Sequence, residues 1–462
     1  MDVTKEIFRA YDIRGIVETE LTSDFAYHLG RAVGSRLIRD GGKTIVVGRD
    51  CRPSGIQLAL RMRDGLTDSG CFVFDIGMVP SPSVYWAIHH LKADGGVAIT
   101  GSHNPPEYNG FKLTMLGDSL HGEAIQGLHR MIETEDYIHG EGSSEPRDIL
   151  PAYILEVTDN IHKPSRNLKV VVDAGNGVGG LTAVPVLENL GCKVTGIFCE
   201  PDGSFPNHHA DPTVEENLED LKKAVLEYGA DIGLAFDGDA DRIGVVSASG
   251  AVIWGDKLMI LLSRALLKEE PGAVIIGEVK CSKLMYDDIK KNGGRPIMWK
   301  TGHSFIKAKI KEESAALAGE MSGHIFYKHR YYGFDDATYT AARLVEILGE
   351  TDQGIDALLS DLPETVSTPE LRMDCPESLK FDLVARLTDG YKERAKIEAF
   401  KVIDLDGARV EWEDGWGLVR CSNTQPILVL RFEAETEIRL KEIQKDMEAA
   451  VEEHRLALSE AS

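Results

Sequence analysis

Three stretches of this chain repeat one hydrophobic pattern. Lys43-Thr-Ile-Val-Val-Gly48, Leu168-Lys-Val-Val-Val-Asp173 and Ala273-Val-Ile-Ile-Gly277 are short β-branched runs that end in polar, glycine-bearing loops. Branched side chains pack well on a pleated surface, so each run predicts a buried strand. Each is followed by a segment whose apolar residues recur with a helical period: Ile56 to Ser69, Leu181 to Leu190 and Ser282 to Lys291. Recurrence of this strand-loop-helix plan predicts three layered α/β domains in series.

After Ser360 the texture changes. Prolines stand at 363, 369 and 376, and the segments Ser378 to Ala395, Gly417 to Phe432 and Thr436 to Glu453 read as a small separate α+β domain. A chain of 462 residues is too long for one core. Breaks at Glu141-Gly-Ser-Ser-Glu-Pro146, at Ser249-Gly250 and in the proline-rich stretch divide it into α/β domains at 1–150, 151–252 and 253–365 and an α+β domain at 366–462.

Composition narrows the function. With 43% apolar and 27% charged residues, the chain is globular rather than disordered. Lys plus Arg number 51 against 75 for Asp plus Glu, and the net charge of −24 argues against nucleic acid and anionic membrane as partners. Met1 to Glu20 lacks the apolar stretch of a secretory signal, and Ser263 and Arg264 interrupt the run from Leu258 to Leu267, so no membrane segment is expected. The seven cysteines are scattered without a C-x-x-C pair, which suggests neither a disulfide framework nor a zinc site and points to the reducing cytoplasm.

Chemistry is concentrated in four loops. In Val97-Ala-Ile-Thr-Gly-Ser102-His-Asn-Pro-Pro-Glu-Tyr-Asn-Gly-Phe-Lys112 an apolar strand runs into a loop that places Ser102 at its exit, where a hydroxyl can be exposed. Gly101 lets another group approach, and Lys112 brings a cation for phosphate oxygens. By itself the loop also suits a turn in which Ser102 and Asn104 bond backbone.

Ile232-Gly-Leu-Ala-Phe-Asp237-Gly-Asp239-Ala-Asp241-Arg242-Ile-Gly-Val-Val246 sets three carboxylates on alternate residues between apolar runs. Three hard oxygen donors at this spacing suit Mg²⁺, and Gly238 with Ala240 leaves room to wrap an ion. An EF-hand fits poorly, because Arg242 occupies the glycine position and Ala248 the bidentate glutamate position, and a solvated acidic turn is the other reading of the loop. Gly319-Glu320-Met-Ser322-Gly-His324 puts carboxylate, hydroxyl and imidazole at i, i+2 and i+4, on one side of an extended segment, where they could read sugar hydroxyls. Arg420-Cys-Ser422-Asn423-Thr424-Gln-Pro joins a guanidinium to short side chains whose backbone N–H groups could cradle an anion.

Together with Phe8-Arg-Ala-Tyr-Asp-Ile-Arg-Gly15, these loops resemble, in the same order and along the whole chain, the motifs of the α-D-phosphohexomutase family, in particular its bacterial phosphomannomutase/phosphoglucomutase branch. The resemblance implies four domains around a central cleft, three of them homologous α/β units with mixed sheets, each of the four supplying one loop. It implies a phosphoryl group carried on Ser102, Mg²⁺ bound by Asp237, Asp239 and Asp241 with a phosphoserine oxygen, and Arg242 holding the phosphate. Tyr11, Arg14, Lys112, Lys280 and His303 match the family's cleft positions. Glu320 and Ser322 look like the pair that contacts the sugar 3- and 4-hydroxyls, with His324 beside them, and Arg420, Ser422, Asn423 and Thr424 would grip the non-reacting phosphate. Gln425 stands where a second threonine is common.

The implied reaction moves a phosphoryl group between C1 and C6 of a hexose. Ser102 gives its phosphoryl to the substrate's free hydroxyl, and the hexose 1,6-bisphosphate intermediate, also the activator, turns over to return the other phosphate. Two dianions must meet, so Lys112, Arg14 and Arg242 would compensate charge beside the metal. His303 and Lys112 are both candidate general bases. Met321 resembles the glucose/mannose branch where phosphoglucosamine mutases carry Gln, so glucose and mannose 1- and 6-phosphates are the expected substrates and glucosamine phosphate the nearest rival. A phosphatase or a non-catalytic binding protein is the alternative of another class; release of inorganic phosphate would mark the phosphatase.

Overall fold

A computed structural model describes residues 3–422 and 425–459. The three β-branched runs form strands within a residue of their expected limits: Thr44–Arg49, Lys169–Asp173 and Val274–Glu278. The helices Pro53–Asp68, Gly180–Asn189 and Lys283–Lys291 follow them. The first begins ahead of its periodic segment because Pro53 sits in its first turn, where a missing N–H costs nothing. In the third, the Ser282 hydroxyl accepts from the Leu284 N–H and caps the helix.

The repeat extends to sheet topology. In the first sheet Phe72–Met78, Thr44–Arg49 and Gly95–Ile99 lie parallel in that order, and Tyr108–Met115 returns antiparallel beside Gly95–Ile99. The second sheet repeats this with Lys193–Ile197, Lys169–Asp173, Ile232–Phe236 and the antiparallel Ile243–Ser247. The third does so with Arg295–Trp299, Val274–Glu278, Leu317–Gly319 and the antiparallel Ile325–Tyr327. The sheets are thus mixed, with helices between their strands. The fourth sheet is entirely antiparallel, its long strands Gly415–Cys421 and Ile427–Ala434 covered by the helices Glu377–Arg394 and Glu437–Ser459.

One continuous apolar core, with members from Val46 to Ile355, joins the first three units, and the fourth has its own. The third and fourth meet where Val279 packs on Trp416 and Leu418. Arg409 stacks over the Trp416 ring, 3.8 Å from its centroid, and donates to the carbonyls of Val279 and Cys281 at 2.6 and 2.7 Å. Its Nε also donates to Glu411 Oε1 at 2.8 Å, so the buried guanidinium is offset by a carboxylate, two carbonyls and an aromatic face. Among the described residues, no helix is long and apolar enough to cross a membrane.

Candidate active site

The first three sequence loops occupy one topological position. Each is the turn between the third parallel strand of its unit and the antiparallel strand that follows, closed by the pairs Ile99 with Phe111, Phe236 with Ile243 and Gly319 with Ile325. The fourth loop is also a hairpin turn, between Cys421 and its partner Leu428.

The first two hairpins close directly on one another. The Ser102 hydroxyl donates to Asp237 Oδ2 at 2.8 Å, and Lys112 Nζ lies 2.6 Å from Asp239 Oδ2 and 2.5 Å from Asp241 Oδ2. Ser102 is consequently 2% exposed, not open as its place at a strand exit suggested, because the neighbouring unit covers it. Gly238 makes this approach possible: a Cβ there would stand 2.5 Å from the Ser102 carbonyl oxygen. The room expected around an ion at Gly238 is taken by the serine backbone. Gly238→Ala must therefore push the two loops apart. Activity should fall by on the order of 10²-fold, with a stability loss of about 1–3 kcal/mol; a coupled assay and thermal unfolding read both, and wild-type turnover in this variant would refute the packing argument.

All three aspartates are fully buried. Burial, reinforced by Asp239 and Asp241, pushes the Asp237 carboxyl well above the usual carboxylate range. Burial opposes ionisation of Lys112 too, but Asp239 and Asp241 hold its ammonium well above the ordinary lysine value, so it stays protonated. Two cationic side chains, Arg242 and Lys112, face three carboxylates. Oxygens of the three lie within 4.8 Å of one another, and Asp239 Oδ1 and Asp241 Oδ1 are buried with no hydrogen-bond partner among the described residues. Clustered oxygen donors with unused lone pairs suit a hard divalent cation, and these three aspartates are a group that could hold one.

The third loop is not the extended segment its spacing suggested. Glu320 N–H donates to the His324 carbonyl at 2.9 Å, and Gly323, at φ 88°, closes a tight turn that a Cβ would block against the Ile243 carbonyl. Glu320 and Ser322 therefore stay together while His324 separates from them. Glu320 Oε2 accepts from Ser322 Oγ at 3.0 Å and Oε1 from Gly302 N–H at 2.7 Å. His324 turns toward the second hairpin, its Nε2 accepting from Arg242 Nε at 3.0 Å and its Nδ1 standing 3.1 Å from Asp335 Oδ2. His303 lies edge-on to Tyr11, ring centroids 5.2 Å apart. Neither of its nitrogens has a hydrogen-bond partner among the described residues, and burial, with Lys307, holds its imidazole well below the usual histidine value.

The opening motif joins the serine loop, since Arg14 donates to Asn104 Oδ1 and Asp12 Oδ2, both at 2.6 Å. Lys280 pairs with Glu370 at 3.0 Å. Arg420 Nε donates to Asp406 Oδ2 at 3.0 Å, the same oxygen that accepts the Thr301 N–H, while its Nη2 is buried without a hydrogen-bond partner among the described residues. The Ser422 hydroxyl accepts from Gln425 N–H at 3.1 Å. Asn423 and Thr424 lie outside the described residues.

Asp50, Arg52, Ser81, Asp335 and Asp406 were not found from the sequence. They lie outside the four loops and reach them only through folding, as when Ser81 donates to Asp239 Oδ2 at 2.5 Å. One signal was available: Asp50 and Arg52, opposite charges, follow directly on a strand predicted to be buried.

Four sequence profiles match the chain in order: phosphoglucomutase/phosphomannomutase alpha/beta/alpha domain I over residues 5–139, domain II over 151–250, domain III over 254–366, and the C-terminal domain over 370–450. A phosphomannomutase/phosphoglucomutase of Pseudomonas aeruginosa is 49% identical over 437 residues, 95% of this chain and 93% of that protein. A phosphoglucomutase of Neisseria gonorrhoeae is 47% identical over 453 residues, 97% of each. The crystal structure of a phosphoglucomutase/phosphomannomutase family protein from Burkholderia thailandensis superposes with a TM-score of 0.92 at 44% identity, covering 98% of both chains. With four domain profiles matched in order and three of the sequence loops at equivalent hairpins, the chain belongs to the α-D-phosphohexomutase family, in its bacterial phosphomannomutase/phosphoglucomutase branch.

Proposed function

We propose that this enzyme interconverts the 1- and 6-phosphates of glucose and mannose, carrying the phosphoryl group on Ser102 and passing through a hexose 1,6-bisphosphate that also serves as activator. The observation that carries this reading is the Ser102 hydroxyl bonded to Asp237 across two units, with Lys112 on the neighbouring carboxylates. Asp237, Asp239 and Asp241 would hold Mg²⁺ together with an oxygen of the serine phosphate. The ion would offset charge on the phosphoryl group.

The remaining roles follow from the groups present. Lys112, Arg14 and Arg242 supply fixed positive charge where phosphoserine and phosphosugar meet. Glu320 and Ser322 address the sugar 3- and 4-hydroxyls, which glucose and mannose present alike, so a site reading only these accepts both C2 epimers. Lys280, Arg420, Ser422, Asn423 and Thr424 grip the phosphate that is not reacting, with Tyr11 beside them; the buried Nη2 of Arg420, without a hydrogen-bond partner among the described residues, supports this. For the general base we favour His324 over both earlier candidates. Lys112 is held protonated, and both nitrogens of His303 lack a hydrogen-bond partner among the described residues, whereas His324 has Asp335 Oδ2 3.1 Å from Nδ1 and the Arg242 Nε–H on Nε2, a donor that would leave Nε2 free on turning to the phosphate. His324 would take the hydroxyl proton as Ser102 surrenders its phosphoryl. We also divide the chain at 150, 252 and 365. The seven free cysteines support a cytoplasmic location.

The test is a coupled assay with glucose 1-phosphate, and in parallel mannose 1-phosphate, Mg²⁺ and a trace of glucose 1,6-bisphosphate, with inorganic phosphate followed alongside. Conversion of both sugars without stoichiometric phosphate release is expected. Turnover of glucosamine 1-phosphate alone would move the substrate assignment, and stoichiometric phosphate would make the protein a phosphatase.

A further inference from the structure

Beneath the serine loop lies a buried ion pair that none of the roles above uses. The strand Thr44–Arg49 exits beside Gly95–Ile99, its parallel neighbour, and delivers Asp50 and Arg52 under residues 100–108. Asp50 is 1% exposed and Arg52 0%. Arg52 Nη2 donates to the carbonyls of Ser102 and Asn104, at 2.9 and 2.5 Å; Nη1 donates to those of Pro105 and Tyr108, at 2.5 and 2.9 Å; Nε donates to Asp50 Oδ2 at 3.2 Å. A guanidinium has five N–H donors, and all five are used on the protein. Arg52 therefore has nothing left for a substrate phosphate. It is a fixture of the loop.

Asp50 completes the fixture from the other side. Its Oδ2 also accepts from Thr100 Oγ1 at 2.8 Å and from Gly101 N–H at 3.3 Å, and Thr100 Oγ1 in turn accepts the Ser102 N–H at 2.7 Å. Ser102 is held at φ 49°, in the left-handed region that a residue with a Cβ keeps only when its surroundings determine it. The glycine before it has its reason here: a Cβ at Gly101 would stand 2.5 Å from Arg52 Cζ. The second unit roofs the clamp, with the Phe205 ring centroid 5.1 Å from Arg52 Cζ and Gly203 so close that a Cβ there would be 2.7 Å from Arg52 Cα. The same unit carries Asp237.

We propose that Arg52 is a positioning residue for phosphoryl transfer: through four backbone carbonyls it fixes where Ser102 presents its phosphoryl group, relative to the metal loop of the neighbouring unit. The proposal rests on Ser102 as the carrier. One serine must serve both the O1 and the O6 of the sugar, so its phosphoryl has to stand at one point in both half-reactions. A displacement of about 1 Å is enough to cost on the order of 10²-fold in rate. Lysine keeps the charge but lacks the planar fork, and it cannot hold four carbonyls at once.

The experiment uses the full-length enzyme and Arg52→Lys, with Gly101→Ala as an independent variant that keeps Arg52 but displaces its guanidinium. Both are expected to remain folded by thermal unfolding, to lose about 10²-fold in kcat, and to keep KM for glucose 1-phosphate within about threefold, because the groups that grip the sugar phosphate are untouched. Intact mass after incubation with glucose 1,6-bisphosphate, with the modified peptide mapped, shows whether wild type carries one phosphoryl on Ser102. If wild type carries none there, the carrier assignment falls and the positioning role with it. If wild type is phosphorylated on Ser102 but Arg52→Lys retains kcat, or loses activity only in proportion to its unfolded fraction, the carrier stands and the positioning role is overturned.

Discussion

Ser102→Ala should lose mutase turnover by at least about 10⁴-fold while remaining folded. The substitution removes the only atom that could carry the phosphoryl group in the proposed reaction, and neither the metal carboxylates nor the phosphate grip can replace it. Its structural cost is small. Asp237 loses one donor, that from Ser102, and keeps the N–H groups of Asp241 and Arg242, each at 3.1 Å, so a loss of about 1–2 kcal/mol is expected. The coupled assay and a melting curve measure the two effects. Turnover within tenfold of wild type would show that the phosphoryl group travels by another route.

The second large effect is expected at Lys112, and there the stability change is the more informative. Lys112→Met keeps the stem and removes the one ammonium that faces Asp239 and Asp241. Removing one member of a buried charge cluster leaves the others uncompensated, at a cost of about 3–5 kcal/mol. In chelator the variant should therefore melt well below wild type. Added Mg²⁺ should stabilise the variant more than wild type, because an ion bound to the native carboxylates supplies the missing charge and shifts folding by mass action. Turnover should stay reduced by on the order of 10²-fold even with Mg²⁺, since a fixed donor to the phosphoryl oxygens is gone. Identical melting of the two proteins in chelator would mean that Lys112 does not compensate the aspartates.

Much of this architecture was legible in the chain because it is encoded locally. A β-branched run cannot easily be anything but a strand, and an apolar residue every third or fourth position makes a helix with one buried face, so the three strand-loop-helix units appeared from periodicity alone. The loops were legible because their composition is costly elsewhere: three alternating aspartates, or a Gly-Ser-His-Asn-Pro turn, cannot be absorbed into a core.

Local pattern misled where a neighbouring unit intervened. Ser102 looked exposed and is buried, since the residue that covers it, Asp237, stands 135 positions away. Gly238 was read as room for an ion and Gly101 as room for an approaching group. Their neighbours are the Ser102 carbonyl and the Arg52 guanidinium, and no spacing rule links these residues. Glu320, Ser322 and His324 were read on one side of an extended segment, but the tight turn at Gly323 sends His324 to Asp335 and Arg242 instead.

By itself, then, the sequence determined the elements, their threefold repetition and the residue types in each loop, because hydrophobic period and turn chemistry act over a few neighbouring residues. Only the tertiary structure decided that three of these loops fall on equivalent hairpins, that Ser102 meets Asp237 and Lys112 meets Asp239 and Asp241, and that Arg52 spends every donor on the serine loop. Those contacts depend on how separately folded units pack together, and packing is set by the shape and burial of whole surfaces, which no short stretch of sequence contains.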